Sequence, residues 1–232
     1  MLLRVLDDED SVAVEAASLI AAEAGRAIAS RGVFTVAFSG GSTPWKMFRI
    51  LAQKSGPWEM AHVFQVDERV APDGHPDRNL TNLMACLSRG DIPAANIHPM
   101  PVNETDISLG LQYYGRILRE IAGDPPVLDL VHLGLGVDGH TASLVPGDSV
   151  LRITDQDVAI TGNYMGRIRM TLTFPIINRS RKILWLVTGS GKAEMLARLY
   201  NGDMSIPCGR VKSDQAIVFA DKSAARKLVQ TG

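Results

Sequence analysis

Apolar residues recur along this chain in two rhythms. Short, nearly unbroken runs occupy 2–6, 33–38, 61–66, 128–133, 182–187 and 217–220. Runs of that length and continuity predict strands buried on both faces. Between them the spacing turns helical. Val12, Ala16, Leu19, Ile20, Ala24, Ala27 and Ile28 fall on one helix face, with Asp8 or Asp10 as the cap and Gly32 as the stop. Met47, Phe48, Ile50 and Leu51 give a second helix an apolar face, and 80–87 predicts a short third. Residues 106–122 predict a fourth, with Leu109, Tyr113, Ile117, Leu118 and Ile121 turned inward and Pro125-Pro126 as its break. Residues 97–100 read as a short edge strand. After Pro146-Gly147 the pattern weakens, with strand-like segments at 157–161 and 168–173. A helix ending near Tyr200 and a last one over 222–229 complete the chain.

Strands alternate with helices, and the strands are continuous apolar runs. This predicts an α/β fold: three layers, a mostly parallel sheet with helices on both faces. No internal repeat, low-complexity tract or linker interrupts the pattern, so residues 1–232 read as a single domain.

Composition narrows the function. The chain has 232 residues, 46% hydrophobic and 21% charged, which is ordinary for a soluble globular protein. A formal net charge of −1 provides no basic field for nucleic acid or an anionic membrane, so any anion site must be local. Cys86 and Cys208 lack C-x-x-C spacing and read as free thiols in a reducing compartment. Asp7, Asp8, Glu9 and Asp10 do not fit a signal peptide, and no apolar run approaches the ~18 residues that span a bilayer. The expectation is a cytoplasmic protein; its oligomeric state is not legible here.

Chemistry concentrates where predicted strands end. After the 128–133 run, Gly134, Gly136 and Gly139 bracket Asp138 and His140. Glycine permits positive φ and close approach of a ligand, and an Asp and a His two residues apart suit proton transfer. Open α/β sheets bind ligands at such carboxyl ends. After the 33–38 run come Ser39, Gly40, Gly41, Ser42, Thr43 and Pro44. Thr43 fits a helix N-cap and Pro44 the first helical position, so free N–H groups would face an anion, with phosphate the usual one. Ser39 and Ser42 read as hydrogen-bond donors, because no G-x-S-x-G nucleophile elbow is present. Polar residues also follow strand-like runs at Asp67-Glu68-Arg69 and at 188–192, so four loops would meet at one edge of a parallel sheet.

Several motifs fail on their context. Residues 134–139 match G-x-G-x-x-G, but Pro146-Gly147 leaves no room for the long helix a dinucleotide needs. Gly189-Ser-Gly-Lys192 is P-loop-like, yet Leu186 and Ala193 replace its first glycine and its hydroxyl residue. Lys192 fits either a solvated lysine or a point charge on a phosphate. Arg69 and Arg169 remain open between surface and site. His132 lies inside a strand and reads as a core histidine, and with Asp138 and His140 it makes no recognisable zinc spacing. No metal or cofactor is expected.

The motifs Ser39-Gly-Gly-Ser-Thr-Pro44, Asp67-Glu-Arg69, Gly134 to Leu144, Arg169-Met-Thr-Leu-Thr173 and Gly189-Ser-Gly-Lys192 resemble, in this order, those of 6-phosphogluconolactonases. The wider family includes glucosamine-6-phosphate deaminases/isomerases. The resemblance spans nearly the whole chain and implies a modified Rossmann-like domain acting on a small sugar phosphate without cofactor or metal. Thr141-Ala-Ser-Leu144 favours the lactonase branch over the isoleucine-alanine-phenylalanine-asparagine run of deaminases. By resemblance, Arg169 and Lys192 match the phosphate-binding arginine and lysine, and His140 the general base. Asp138 would orient it. Arg69 or backbone N–H groups would stabilise an oxyanion, Asp67 would hold sugar hydroxyls or Arg69, and Asn79 belongs to a substrate-side loop. Two residues depart from the family: Val145 stands where phenylalanine is frequent, and Arg78 where a serine is common.

Overall fold

Every strand of the main sheet runs the same way. In the computed structural model residues 1–87, 90–103 and 105–228 are described, Ser42 by its backbone alone. The elements run β1 (Leu2–Leu6), α1 (Glu9–Arg31), β2 (Phe34–Phe38), α2 (Ser42–Leu51), β3 (Ala61–Gln65), β4 (Asp67–Arg69), α3 (Asn79–Leu87), β5 (Ile97–His98) and α4 (Ile107–Ala122). They continue with β6 (Leu130–Gly134), β7 (Val158–Ile160), β8 (Arg169–Leu172), α5 (Phe174–Arg179), β9 (Ile183–Val187), α6 (Ala193–Tyr200), β10 (Ala216–Asp221) and α7 (Lys222–Ala225). Seven strands pair in the order β1-β10-β9-β6-β2-β3-β5, all parallel. From β2 the sheet grows outward through β3 to β5; from β6 it grows the other way through β9 to β10. The order reverses between the neighbours β2 and β6, and a crevice opens beyond their carboxyl ends.

The unbroken apolar runs follow from burial on both faces. Ile183, Trp185 and Val187 of β9 enter one core with α4, α5, α6 and α7, while Leu184 and Leu186 enter the other with α1, α2 and α3. All five residues of β2 are buried. Asp8 caps α1, accepting from the Ser11 N–H at 2.8 Å, and Gly32 ends it at φ 78°. Asp10 instead pairs with Lys46 at 2.7 Å. Cys86 and Cys208 are free and buried. Among the described residues no helix is long and apolar enough to cross a membrane.

The structure corrects four expectations. Residues 67–69 are not a loop: β4 pairs antiparallel with β8, and β8 with β7, in a separate three-stranded sheet. Val66 is the crossing point, donating to the Phe38 carbonyl while its own carbonyl accepts from Leu172. In α4, Leu109 and Tyr113 are exposed, and Gly110, Tyr114 and Leu118 face inward. The helix docks through its glycine, where a Cβ would lie 2.3 Å from the Pro101 carbonyl oxygen. Tyr114 then reaches β3, its hydroxyl accepting from Gln65 N at 2.8 Å and donating to Gln65 O at 2.9 Å. Helix α2 begins two residues early, with Gly41 as its cap and Thr43 and Pro44 in its first turn. The last helix is the short α7; Val229, the expected end, lies outside the described residues.

Glu68 has no exposed surface. Its Oε1 accepts from the Arg69 and Asn79 N–H groups, both at 2.8 Å. Its Oε2 accepts from Leu80 N at 2.8 Å and Gln65 Nε2 at 2.9 Å, with Arg78 Nε at 3.1 Å. One carboxylate thus binds β3, β4 and the start of α3. Removing it strands buried donors and the Arg78 guanidinium, a loss of about 3–5 kcal/mol. Glu68→Ala should lower the unfolding free energy in urea by that amount; a loss under ~1 kcal/mol would show that other contacts hold the junction.

Candidate active site

A cavity of about 250 Å³ occupies the crevice beyond β2 and β6. Ser39, Gly40, Gly41, Thr43, Asp67, Arg69, Asn79, His140, Arg169 and Lys192 all line it. Asp138 stands behind His140 rather than in the wall, and the Ser42 side chain lies outside the described residues. The loops after β2, β6 and β9 therefore converge, together with strand β4.

The loop after β6 is folded around its Asp and His. The Gly136 N–H donates to the His140 carbonyl at 2.8 Å, and Gly139 adopts φ 84°. Asp138 Oδ1 accepts from the His140 N–H at 3.1 Å and meets His140 Nδ1 at 2.6 Å. A Cβ on Gly136 would lie 2.1 Å from that ring nitrogen, so only glycine lets the imidazole close over the turn. Burial pushes the Asp138 carboxyl up, but the His140 N–H, the imidazole and the Tyr164 hydroxyl outweigh it and hold it below the usual range.

The opposite wall gathers a helix N-terminus, Arg169 and Lys192. Helix α2 presents its N-terminus there. The Ser39 N–H donates to Nδ1 of His132 at 3.3 Å. His132 is completely buried, which pushes its pKa down to about 3 and keeps the ring neutral and able to accept. The core histidine of the sequence thus holds the first residue of the phosphate-type loop. Gly40 packs against Asn79, whose Oδ1 lies 2.0 Å from where a Cβ would stand. The Thr43 hydroxyl meets the Thr188 hydroxyl at 2.7 Å, tying this loop to the one after β9. Asp221 caps α7 and accepts from the Gly189 N–H at 3.0 Å, fixing the turn that carries Lys192. Burial pulls the Lys192 pKa down, with the Asp138 charge opposing.

Arg169 enters from β8 and is almost fully buried. Its Nη1 lies 3.4 Å from the Ser143 hydroxyl and 4.0 Å from Asp67 Oδ2. Burial lowers the Arg169 pKa, which the Asp67 charge counters. Asp67 accepts from Ser143 Oγ at 2.6 Å and from Asn79 Nδ2 at 3.3 Å. The alternative of Asp67 holding Arg69 is corrected: among the described residues the two form no ion pair, and Arg69 donates to the Asp77 carbonyl at 2.7 Å. Arg78, the departure from the family pattern, is buried away from the cavity. It donates to the Ala71 carbonyl at 2.9 Å and Asn103 Oδ1 at 2.8 Å, and so closes the 71–79 turn.

Sequence reasoning missed Tyr164, Ser143, Thr188 and Glu68. Ser143 lay inside the Asp138–Leu144 block and could have been found there. Tyr164 sat where the pattern was weakest, marked only by the Met165-Gly166 turn that follows it. Among the described residues no three His, Cys, Asp or Glu side chains gather for a metal ion.

Residues 7–219 match the family model described as glucosamine-6-phosphate isomerases/6-phosphogluconolactonase. A 6-phosphogluconolactonase of Synechocystis sp. is 43% identical over 180 residues, 75% of each chain. One of Nostoc sp. is 37% identical over 203 residues, 85% of this chain and 84% of that one. The crystal structure of 6-phosphogluconolactonase from Thermotoga maritima matches with a TM-score of 0.83 at 27% identity, over 95% of this chain and 98% of that one. With its sheet order, its crevice and its convergent loops, this chain belongs to the glucosamine-6-phosphate isomerase/6-phosphogluconolactonase family.

Proposed function

We propose that this chain hydrolyses 6-phospho-D-glucono-1,5-lactone to 6-phospho-D-gluconate, the lactonase step of the oxidative pentose phosphate pathway, as a single cytoplasmic domain. The observation that carries the reading is one cavity holding both an Asp-oriented imidazole and a cationic anion site. The relatives from Synechocystis sp. and Nostoc sp. carry the lactonase name.

The substrate has a phosphate dianion at one end and a lactone carbonyl at the other. The 39–43 loop, Arg169 and Lys192 bind the phosphate. That remote grip orients the carbonyl, an effect realised as rate rather than affinity. With Nδ1 directed at Asp138, the His140 ring offers Nε2 to a water molecule. Nε2 takes one proton as the water oxygen bonds to the carbonyl carbon. Arg69 and loop N–H groups receive the charge on the former carbonyl oxygen. The intermediate collapses, the bond to the ring oxygen breaks, and His140 returns the proton to that oxygen. General base catalysis of this kind contributes about 10²–10⁴-fold.

A coupled assay with freshly generated lactone, corrected for spontaneous opening without enzyme, tests the reading. Ammonia released from glucosamine 6-phosphate would assign a deaminase instead; binding without any turnover would indicate a sensor. His140→Ala should lose about 10²–10⁴-fold in kcat yet still bind 6-phosphogluconate; activity within a few-fold of wild type would move the base elsewhere. For Lys192→Ala the effect belongs in KM, which should rise about tenfold or more, and an unchanged KM would reject the phosphate role. Gly136→Ala should fold, judged by circular dichroism, but lose most of kcat because its methyl group displaces the imidazole; full activity would mean the ring has room to move.

A further inference from the structure

Tyr164 touches both halves of the site. Its hydroxyl donates to Asp138 Oδ2 at 3.0 Å and lies 3.5 Å from His140 Nδ1. Its ring meets the His140 ring edge-on, with centroids 5.5 Å apart. The same ring underlies the Arg169 guanidinium, whose central carbon is 5.1 Å from the ring centroid. We propose that Tyr164 is a positioning residue that sets the base and the phosphate-binding arginine together: its hydroxyl fixes Asp138, and its face seats Arg169.

The hydroxyl arm follows from the Asp138 carboxylate. Oδ1 faces the imidazole and the His140 N–H, and Oδ2 accepts from Tyr164. With both oxygens held, the carboxylate cannot swing, and the ring it orients cannot tilt. Without the phenol, Oδ2 is free to turn toward water and the alignment loosens. The ring arm follows from what holds Arg169. Among the described residues its guanidinium makes one hydrogen bond to protein, the 3.4 Å contact with Ser143, and its Nε is buried without a partner. A guanidinium so placed is held by charge and by the aromatic face beneath it.

The chain delivers Tyr164 by a tight device. Tyr164 and Arg167 pair across a two-residue turn in which Met165 has φ 52° and Gly166 φ 79°. Two successive left-handed residues make a sharp hairpin tip, and Met165 adopts that conformation at a cost a non-glycine residue accepts only where the surroundings demand it. Met165 itself is 80% exposed, so the demand does not come from its own side chain. The anchor is Arg167, which binds Asp77 at 2.9 Å through Nη2 and 3.2 Å through Nε, clamping the hairpin to the 71–79 turn.

This inference deepens the proposed lactonase reading and rests on it. The experiment compares wild type, Tyr164→Phe and Tyr164→Leu in the lactone assay, with melting temperature, 6-phosphogluconate affinity and isotope-edited NMR of the His140 imidazole. Tyr164→Phe keeps the ring, so kcat should fall about tenfold while KM stays within about twofold. Tyr164→Leu should show the same kcat loss plus a rise of about fivefold in KM and an equal weakening of 6-phosphogluconate binding. A merely structural tyrosine would move kcat and KM together as the melting temperature falls, and that result overturns the proposal. So does Tyr164→Phe with kcat within about twofold of wild type, or Tyr164→Leu with the KM of Tyr164→Phe. If wild type turns over no lactone, the substrate assignment fails by itself. The imidazole signal of His140 then decides the hydroxyl arm without substrate: it should shift in Tyr164→Phe, and an unchanged signal rejects it.

Discussion

A carboxylate sealed from water must find a partner for each oxygen inside the protein, and Glu68 is the point where this chain meets that demand. Its donors come from two strands and a helix start, and a buried arginine pairs with its charge. Alternation along β4 does the rest. When residue 68 faces the interior, 67 and 69 face the other way, which here is the cavity. Asp67 then braces Ser143 and Asn79 beside Arg169, and Arg69 closes on the Asp77 carbonyl. A buried structural anion therefore decides where two site side chains point, without touching the cavity itself.

The second constraint is topological. A parallel sheet that grows outward in both directions from two central strands leaves their loops with nothing packed between them. Those loops are 39–43 and 134–140, one a helix N-terminus and the other a glycine-lined turn. The helix N-terminus and the His140 turn thus come from adjacent strands. Links such as Thr43 to Thr188 and Gly189 to Asp221 extend the same edge to the loop after β9.

The parts of this arrangement that depend on local pattern were legible. The buried strands β2, β6, β9 and β10 announce themselves as continuous apolar runs, and Asp8 and Gly32 mark α1 by their capping chemistry. Convergence of the loops after β2, β6 and β9 followed from the parallel sheet. What escaped depends on distant partners. Tyr114 rather than Tyr113 faces inward because Gly110 admits the Pro101 carbonyl, a fit that helical periodicity does not encode. Residues 67–69 carry no strand signature; Asp, Glu and Arg form one only because β8 lies alongside and Glu68 is satisfied below. Thr43 looks like a cap in sequence, but its hydroxyl is engaged by Thr188, 145 residues away.

In a chain whose formal net charge is −1, three cations, Arg69, Arg169 and Lys192, line one cavity with Asp67, while Asp138 stands just behind it. The two carboxylates are engaged, Asp67 with Ser143 and Asn79, Asp138 with His140 and Tyr164. The cavity therefore gathers an excess of positive charge in a chain whose net charge is close to zero. In the proposed hydrolysis, water attack on a neutral lactone creates an imidazolium and an oxyanion together, so the cavity's total charge does not change. Such a reaction gains little from a stronger overall field. It gains from dipoles and charges that are already in place, each aimed at one pole of the new ion pair. Asp138 faces the imidazolium and Arg69 stands on the cavity wall. The hydrogen bonds that immobilise them are accordingly as much a part of the chemistry as the groups themselves.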